Sequence, residues 1–125
     1  MRLNLNTLTN GFTAQSFPGI LSYCISKAAL DQFTKCCALE LASKGIRVNS
    51  VNPGVIRTPL QRRGGMSEEE YAAFIKNTAV THPLGRPGEP EEVASAIAFL
   101  ASSASSFTTG DLLLVDGGRT AVCPR

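Results

Sequence analysis

The chain holds 125 residues, with 12 Lys and Arg against 10 Asp and Glu, a formal charge of +2 and 43% hydrophobic side chains. That length suits one domain and that apolar share buries a core, which excludes a disordered tail. The near-even charge gives no basic stripe for nucleic acid, no apolar run reaches the roughly 18 residues of a membrane span, and the first residues lack the apolar segment of a signal peptide, so the expected compartment is cytoplasmic.

Residues 1–18 show no clean period. The stretch Asn4–Gly11 is rich in Asn and Thr, which favour turns, so an irregular lead-in is expected, closed by Pro18-Gly19. From about Ser22 to Ser43 the pattern is helical: Tyr23, Leu30, Phe33, Cys37 and Leu41 recur on one face, and Asp31 and Lys35 stand one turn apart. Lys44-Gly45 is a stop signal, a cation near the last carbonyls followed by glycine for a left-handed cap. Ile46–Val51, with β-branched Val48 and Val51, reads as a strand ended by Pro53-Gly54.

A loop over Thr58–Met66 follows. Ser67-Glu68-Glu69-Glu70 then spells a capping box, and the helix it opens runs to about Thr78. Pro83 to Pro90 is connector. Pro90 suits a first helical position, Glu91 and Glu92 suit the positive end of the helix dipole, and Val93, Ile97 and Leu100 share a face to about Ser102. Leu112–Val115, four apolar residues between glycines, reads as a strand buried on both faces. Two strands cannot hide two apolar faces, and a doubly wound sheet needs far more chain. The expected fold is therefore α/β, the C-terminal portion of a doubly wound Rossmann-type parallel sheet with its N-terminal strands missing.

Cys24, Cys36, Cys37 and Cys123 form no C-x-x-C pair, and His82 is the sole histidine, so no metal site is expected. The cysteines are expected to be reduced and to pack as small apolar side chains, and His82 to be structural. Tyr23 and Lys27 stand four residues apart, on one helix face. A phenol titrates near 10, too high for easy proton exchange at neutrality, and a neighbouring ammonium favours the phenolate. The pair suits a general acid/base with its electrostatic partner, although a half-buried aromatic beside a solvated lysine is the commoner meaning of the spacing.

Tyr23-x-x-x-Lys27, Asn52-Pro53-Gly54 with Thr58, the run Gly85-Arg86-Pro87-Gly88-Glu89-Pro90, and Val115-Asp116-Gly117-Gly118 occur in this order. Together they resemble the classical short-chain dehydrogenase/reductase family, of the type that includes 3-oxoacyl-carrier-protein reductases, over Ser16 to Arg125. The resemblance implies an NAD- or NADP-dependent oxidoreductase acting on a small carbonyl or alcohol. Tyr23 would be the acid/base. Lys27 would hold the nicotinamide ribose and depress the phenol pKa. Pro53, Gly54, Val55, Ile56 and Thr58 would edge the nicotinamide and its phosphates. Residues 58–82 resemble a substrate lid, in which Arg62 and Arg63 read as solvated charges. The family's last helix and strand imply a homo-oligomer.

The departures are specific. No G-x-G-x-x-G occurs, so the pyrophosphate has no cradle in these residues. The family's catalytic serine position falls on Asn10, with Thr7 and Thr9 as alternatives, inside a lead-in (1–15) that matches poorly. The expectation is a truncated family domain over 1–125. Its alternative is a catalytically inactive fragment that acts only by associating with full-length subunits.

Overall fold

In a computed structural model the described residues are 4–8, for the backbone, and 18–122. Three strands form one parallel sheet in the order β1-β2-β3: β1 (Asn4–Leu8), β2 (Arg47–Pro53) and β3 (Leu112–Val115). Helix α1 (Leu21–Leu41) connects the first pair. A short α2 (Leu60–Arg63), then α3 (Glu68–Thr81) and α4 (Pro90–Ala101), connect the second.

The lead-in departs from the turn-rich expectation. Residues 4–8 form a strand in register with β2, Leu5 opposite Val48 and Leu8 opposite Val51. Asn and Thr propensities are worth a few tenths of a kcal/mol each, and pairing with a neighbouring strand overrides them.

Helix α1 stops as its sequence signals. A 3₁₀ turn (Ala42–Lys44) tightens its end, and Gly45 takes the left-handed conformation, φ 69°, with its N–H donating to the Ala42 carbonyl. Cys24, Cys36 and Cys37 stand in no disulfide, and Cys36 is exposed rather than packed. It falls on the outer side of a helix whose buried residues are Thr34 and Ala38. Cys123 lies outside the described residues.

Strand β2 is buried at all seven positions, yet it is not the apolar strand that Val48 and Val51 suggest. Arg47, Asn49, Ser50 and Asn52 are buried with them, each hydrogen-bonded. Side chains alternate along it. Asn52 meets Asp31 of α1 on one face, whereas Val51 packs against Val93 and Leu100 of α4 on the other. Helices thus cover both faces. Because the strand order runs straight from β1 to β3, helices on opposite faces give the two crossovers opposite hands, a departure from the right-handed rule.

Strand β3 corrects the expectation of burial on both faces. Its residues are only partly covered, and Leu114 is 49% exposed. It pairs with β2 alone among the described residues, so it is an edge.

The capping box at Ser67 is present. The Ser67 Oγ accepts from the Glu70 N–H, and the Glu70 carboxylate accepts from the Ser67 N–H at 2.8 Å. A second box, unforeseen in the sequence, opens α4, with Glu89 and Glu92 in the two roles and Pro90 in the first turn as expected. The Arg86 guanidinium grips Glu92 with two nitrogens, at 2.7 and 2.8 Å, and holds that carboxyl well down, to about 2. No described helix is long and apolar enough to cross a membrane.

Candidate active site

The bond from the Asn52 amide to the Asp31 carboxylate, 3.2 Å, sets where α1 lies along the sheet. Asn52 stands at the C-terminal end of β2. Asp31, Lys27 and Tyr23 follow one another at one-turn intervals up the same helix face. At ~1.5 Å per residue, Tyr23 lies about 12 Å beyond Asp31, past the strand ends where open α/β sheets bind ligands. Lys27 Nζ lies over the Tyr23 ring, 5.5 Å from its centroid, and both side chains are half-buried. The ammonium is thus held beside the phenol by the ring itself.

Past β2 the chain turns through residues 53–58, and its backbone is pinned point by point. The Gly54 N–H donates to the Val115 carbonyl at 3.0 Å, and the Val55 N–H to His82 Nε2 at 3.2 Å. Gly88 and Val55–Arg57 exchange two bonds of 2.9 Å, making a single parallel bridge between Ile56 and Gly88. Gly54 must be glycine for space: a Cβ there would stand 2.8 Å from the Asp116 Cα and 3.0 Å from His82 Nε2. The N–H groups of Ile56 and Thr58 and the Thr58 hydroxyl find no partner among the described residues. These donors are what the oxygen atoms of a ligand would take.

Beside this turn lies a cleft of ≈ 370 Å³, lined mainly by Pro53–Ile56, Thr58, Phe74, Val93 and Ile97. Tyr23 and Lys27 do not line it, so the structure places the sequence's site residues in two groups. Residues 53–58 border the cleft on the α4 side, and the Tyr23–Lys27 pair stands on the α1 side. Asn10 and Thr9 lie outside the described residues, and Thr7 is described by its backbone alone.

Over 58–82 the two short helices clasp each other. Arg62 is not simply solvated: its Nε pairs with Glu68 at 2.8 Å and its guanidinium lies 4.0 Å over the Tyr71 ring. The Tyr71 hydroxyl donates to the Thr58 carbonyl at 3.5 Å, which ties the lid-like segment to the turn.

His82 has a larger part than a lone core histidine. Only 2% exposed, it links the end of α3 to the turn. Burial, then the Arg119 guanidinium, push its imidazole below the ordinary value, against the Asp116 carboxylate and the Thr78 carbonyl. Asp116 closes the loop after β3. Burial raises its pKa, but bonds from the Thr120 hydroxyl and from the Thr120 and Gly118 N–H groups outweigh that and leave it lowered. Sequence reasoning missed the Asn52–Asp31 contact and the His82 bond. Both join residues more than twenty apart, for which local pattern carries no signal. Among the described residues no three His, Cys, Asp or Glu side chains gather where a metal ion would need them.

Helices on both faces of a parallel sheet, with a turn of free backbone donors beyond the strand ends, define a Rossmann-type α/β protein. Residues 5–120 match a family model described as enoyl-(acyl carrier protein) reductase. The chain is 48% identical over 101 residues to a cyclohexanol dehydrogenase from an Acinetobacter species, covering 81% of this chain and 37% of that one. It is 46% identical over 102 residues to a 3-oxoacyl-acyl-carrier-protein reductase from Thermotoga maritima, covering 81% and 39%. Its structure superposes with TM-score 0.88 and 37% identity on a short-chain dehydrogenase/reductase of unknown function from Caenorhabditis elegans, solved with cofactor, covering 96% of this chain and 46% of that one. The chain belongs to the short-chain dehydrogenase/reductase family of oxidoreductases, and spans well under half the length of these curated relatives.

Proposed function

We propose that these residues form the acid/base and nicotinamide-edging part of an NAD- or NADP-dependent oxidoreductase that interconverts a small carbonyl compound and its alcohol. The observation that carries the reading is the Tyr23–Lys27–Asp31 row, registered by Asn52 against the end of β2 and carried past the strand ends. The nicotinamide end of the cofactor fits: Gly54 lets the turn pack tightly on Asp116 and His82, and the free donors of Ile56 and Thr58 suit carboxamide or phosphate oxygens. The pyrophosphate end has no glycine-rich turn among the 125 residues. When bound, the nicotinamide exchanges a hydride with the substrate carbon.

The protein's own residues handle the proton. Tyr23 gives its phenolic proton to the substrate oxygen in the reducing direction and takes one in the oxidising direction. Lys27 favours the phenolate by its charge and offers donors to the ribose hydroxyls. Pro53, Gly54, Val55, Ile56 and Thr58 hold the nicotinamide edge.

The test grafts residues 16–125 in place of the matching region of the full-length cyclohexanol dehydrogenase relative, which restores a complete sheet. Oxidation of cyclohexanol or another small secondary alcohol that depends on NAD or NADP is the expected result. A folded chimera that binds nucleotide yet turns over no alcohol or ketone contradicts the proposal.

A further inference from the structure

The turn that carries Val55 is held by a side chain from the far end of the lid-like segment. His82 Nε2 accepts the Val55 N–H at 3.2 Å, so this nitrogen carries no proton. Nδ1 lies 3.0 Å from Thr81 Oγ1. The Thr81 hydroxyl spends its own proton on the Asn77 carbonyl, 3.1 Å, and so receives the Nδ1 proton. Every polar atom of the ring is thereby committed in one tautomer. Around the ring the packing leaves no slack. A Cβ on Gly54 would come within 3.0 Å of Nε2, and one on Gly117 within 3.5 Å of the ring.

We infer that His82 is a positioning residue. As the neutral Nδ1–H tautomer it latches Val55, and with it the nicotinamide-edging turn, to the end of α3, and protonation opens the latch. The inference rests on the reading of residues 53–58 as that edge.

A second ring proton would put an N–H at Nε2 facing the Val55 N–H, two donors with no acceptor between them. Asp116 and the Thr78 carbonyl favour the charge, but burial and Arg119 outweigh them. The charged groups facing the ring are Arg119 and Asp116, both from the chain after β3. Arg119 is itself cationic. The Asp116 oxygens already accept from Gly118 and Thr120 at 2.6–2.9 Å. From α3 the ring meets only the Thr78 carbonyl and the Thr81 hydroxyl. Gly54 is held separately, by the Val115 carbonyl, so the latch opens at Val55 while β2 and β3 stay joined. The turn would then lose its fixed shape in acid, as a local change.

Amide hydrogen exchange, read residue by residue on the 125-residue chain without nucleotide, tests this at about pH 7.5 and about pH 4.5, either side of the ordinary histidine value. Val55 protection, corrected for intrinsic exchange and taken relative to Gly54 and Val51, is expected to fall at least about tenfold in acid. His82→Gln keeps an acceptor where Nε2 stands and does not titrate, so Val55 stays protected at both pH values. His82→Phe fills the space without an acceptor and leaves Val55 unprotected at both. Equal relative protection of Val55 at the two pH values in the unsubstituted chain overturns the inference, as does a glutamine variant that keeps the acid-induced loss. If the phenylalanine variant fails to fold, those two comparisons still decide. No nucleotide takes part, so failure here leaves the Tyr23 assignment standing, and an inert Tyr23 leaves the latch standing.

Discussion

Arg47 brings a cation into a strand that is buried along its length, with no carboxylate to meet it among the described residues. Its guanidinium instead donates to the carbonyls of Leu100, Ser102 and Thr108, at 2.8–3.1 Å. Two of these close α4, where the helix dipole is negative and carbonyls lack helical partners. Arg47→Met would remove three charge-assisted hydrogen bonds, each worth ~1.5–3 kcal/mol, although each carbonyl keeps a second donor, Ser105 Oγ at Leu100 and Ser102 and Asn49 Nδ2 at Thr108. Allowing for partial relaxation, the loss in denaturant-measured stability is expected to be about 3 kcal/mol, and a loss below about 0.5 kcal/mol would contradict it. His82 makes a matching prediction with pH. Its folded pKa lies below the ordinary value near 6.5, so the unfolded chain binds the proton first. Its contribution is whole above about pH 6.5 and is lost as pH falls towards the folded value. Melting temperature is expected to drop across that window, and the drop to shrink in His82→Gln.

At the scale of elements, most of the pattern was legible because its signals are local. Gly45 ends α1, Ser67 and Glu70 open α3 and Pro90 opens α4, each through atoms within one turn. Ser67→Ala is expected to cost about 1 kcal/mol in stability, with exchange rising first at Glu69–Tyr71. An unchanged melt and unchanged exchange would mean that the box adds nothing. What stayed illegible depended on partners far along the chain. The 4–8 strand exists through pairing with β2, and β3 is half-exposed because it is an edge. The polar composition of β2 becomes intelligible only when Thr108, Leu100 and Asp31 are seen beside it. The candidate site divides the same way. Tyr23 and Lys27 are visible as an i,i+4 pair and Pro53-Gly54 as a turn, whereas the bonds that seat the two groups, Asn52 to Asp31 for the pair and Val55 to His82 for the turn, span some twenty residues or more.

At the scale of the molecule, a three-stranded sheet leaves one side of β3 unpaired among the described residues, and Leu114, Phe99 and Phe107 are exposed. Open edges and exposed apolar side chains favour association. Sedimentation of the chain is expected to show species heavier than a monomer, and a sharply melting monomer would contradict this. For lack of a phosphate cradle, calorimetric titration with NAD or NADP is expected to show no micromolar binding to the chain alone. The central claim is that Tyr23 moves the substrate proton, and the most direct measurement is turnover of the 16–125 chimera with Tyr23→Phe. Phenylalanine keeps the ring, and so its packing, and removes only the hydroxyl. General acid/base catalysis supplies ~10²–10⁴-fold, so kcat is expected to fall by about that factor while nucleotide affinity stays nearly unchanged. Full activity in the Tyr23→Phe chimera would contradict the account and reduce the Tyr23–Lys27 face to packing.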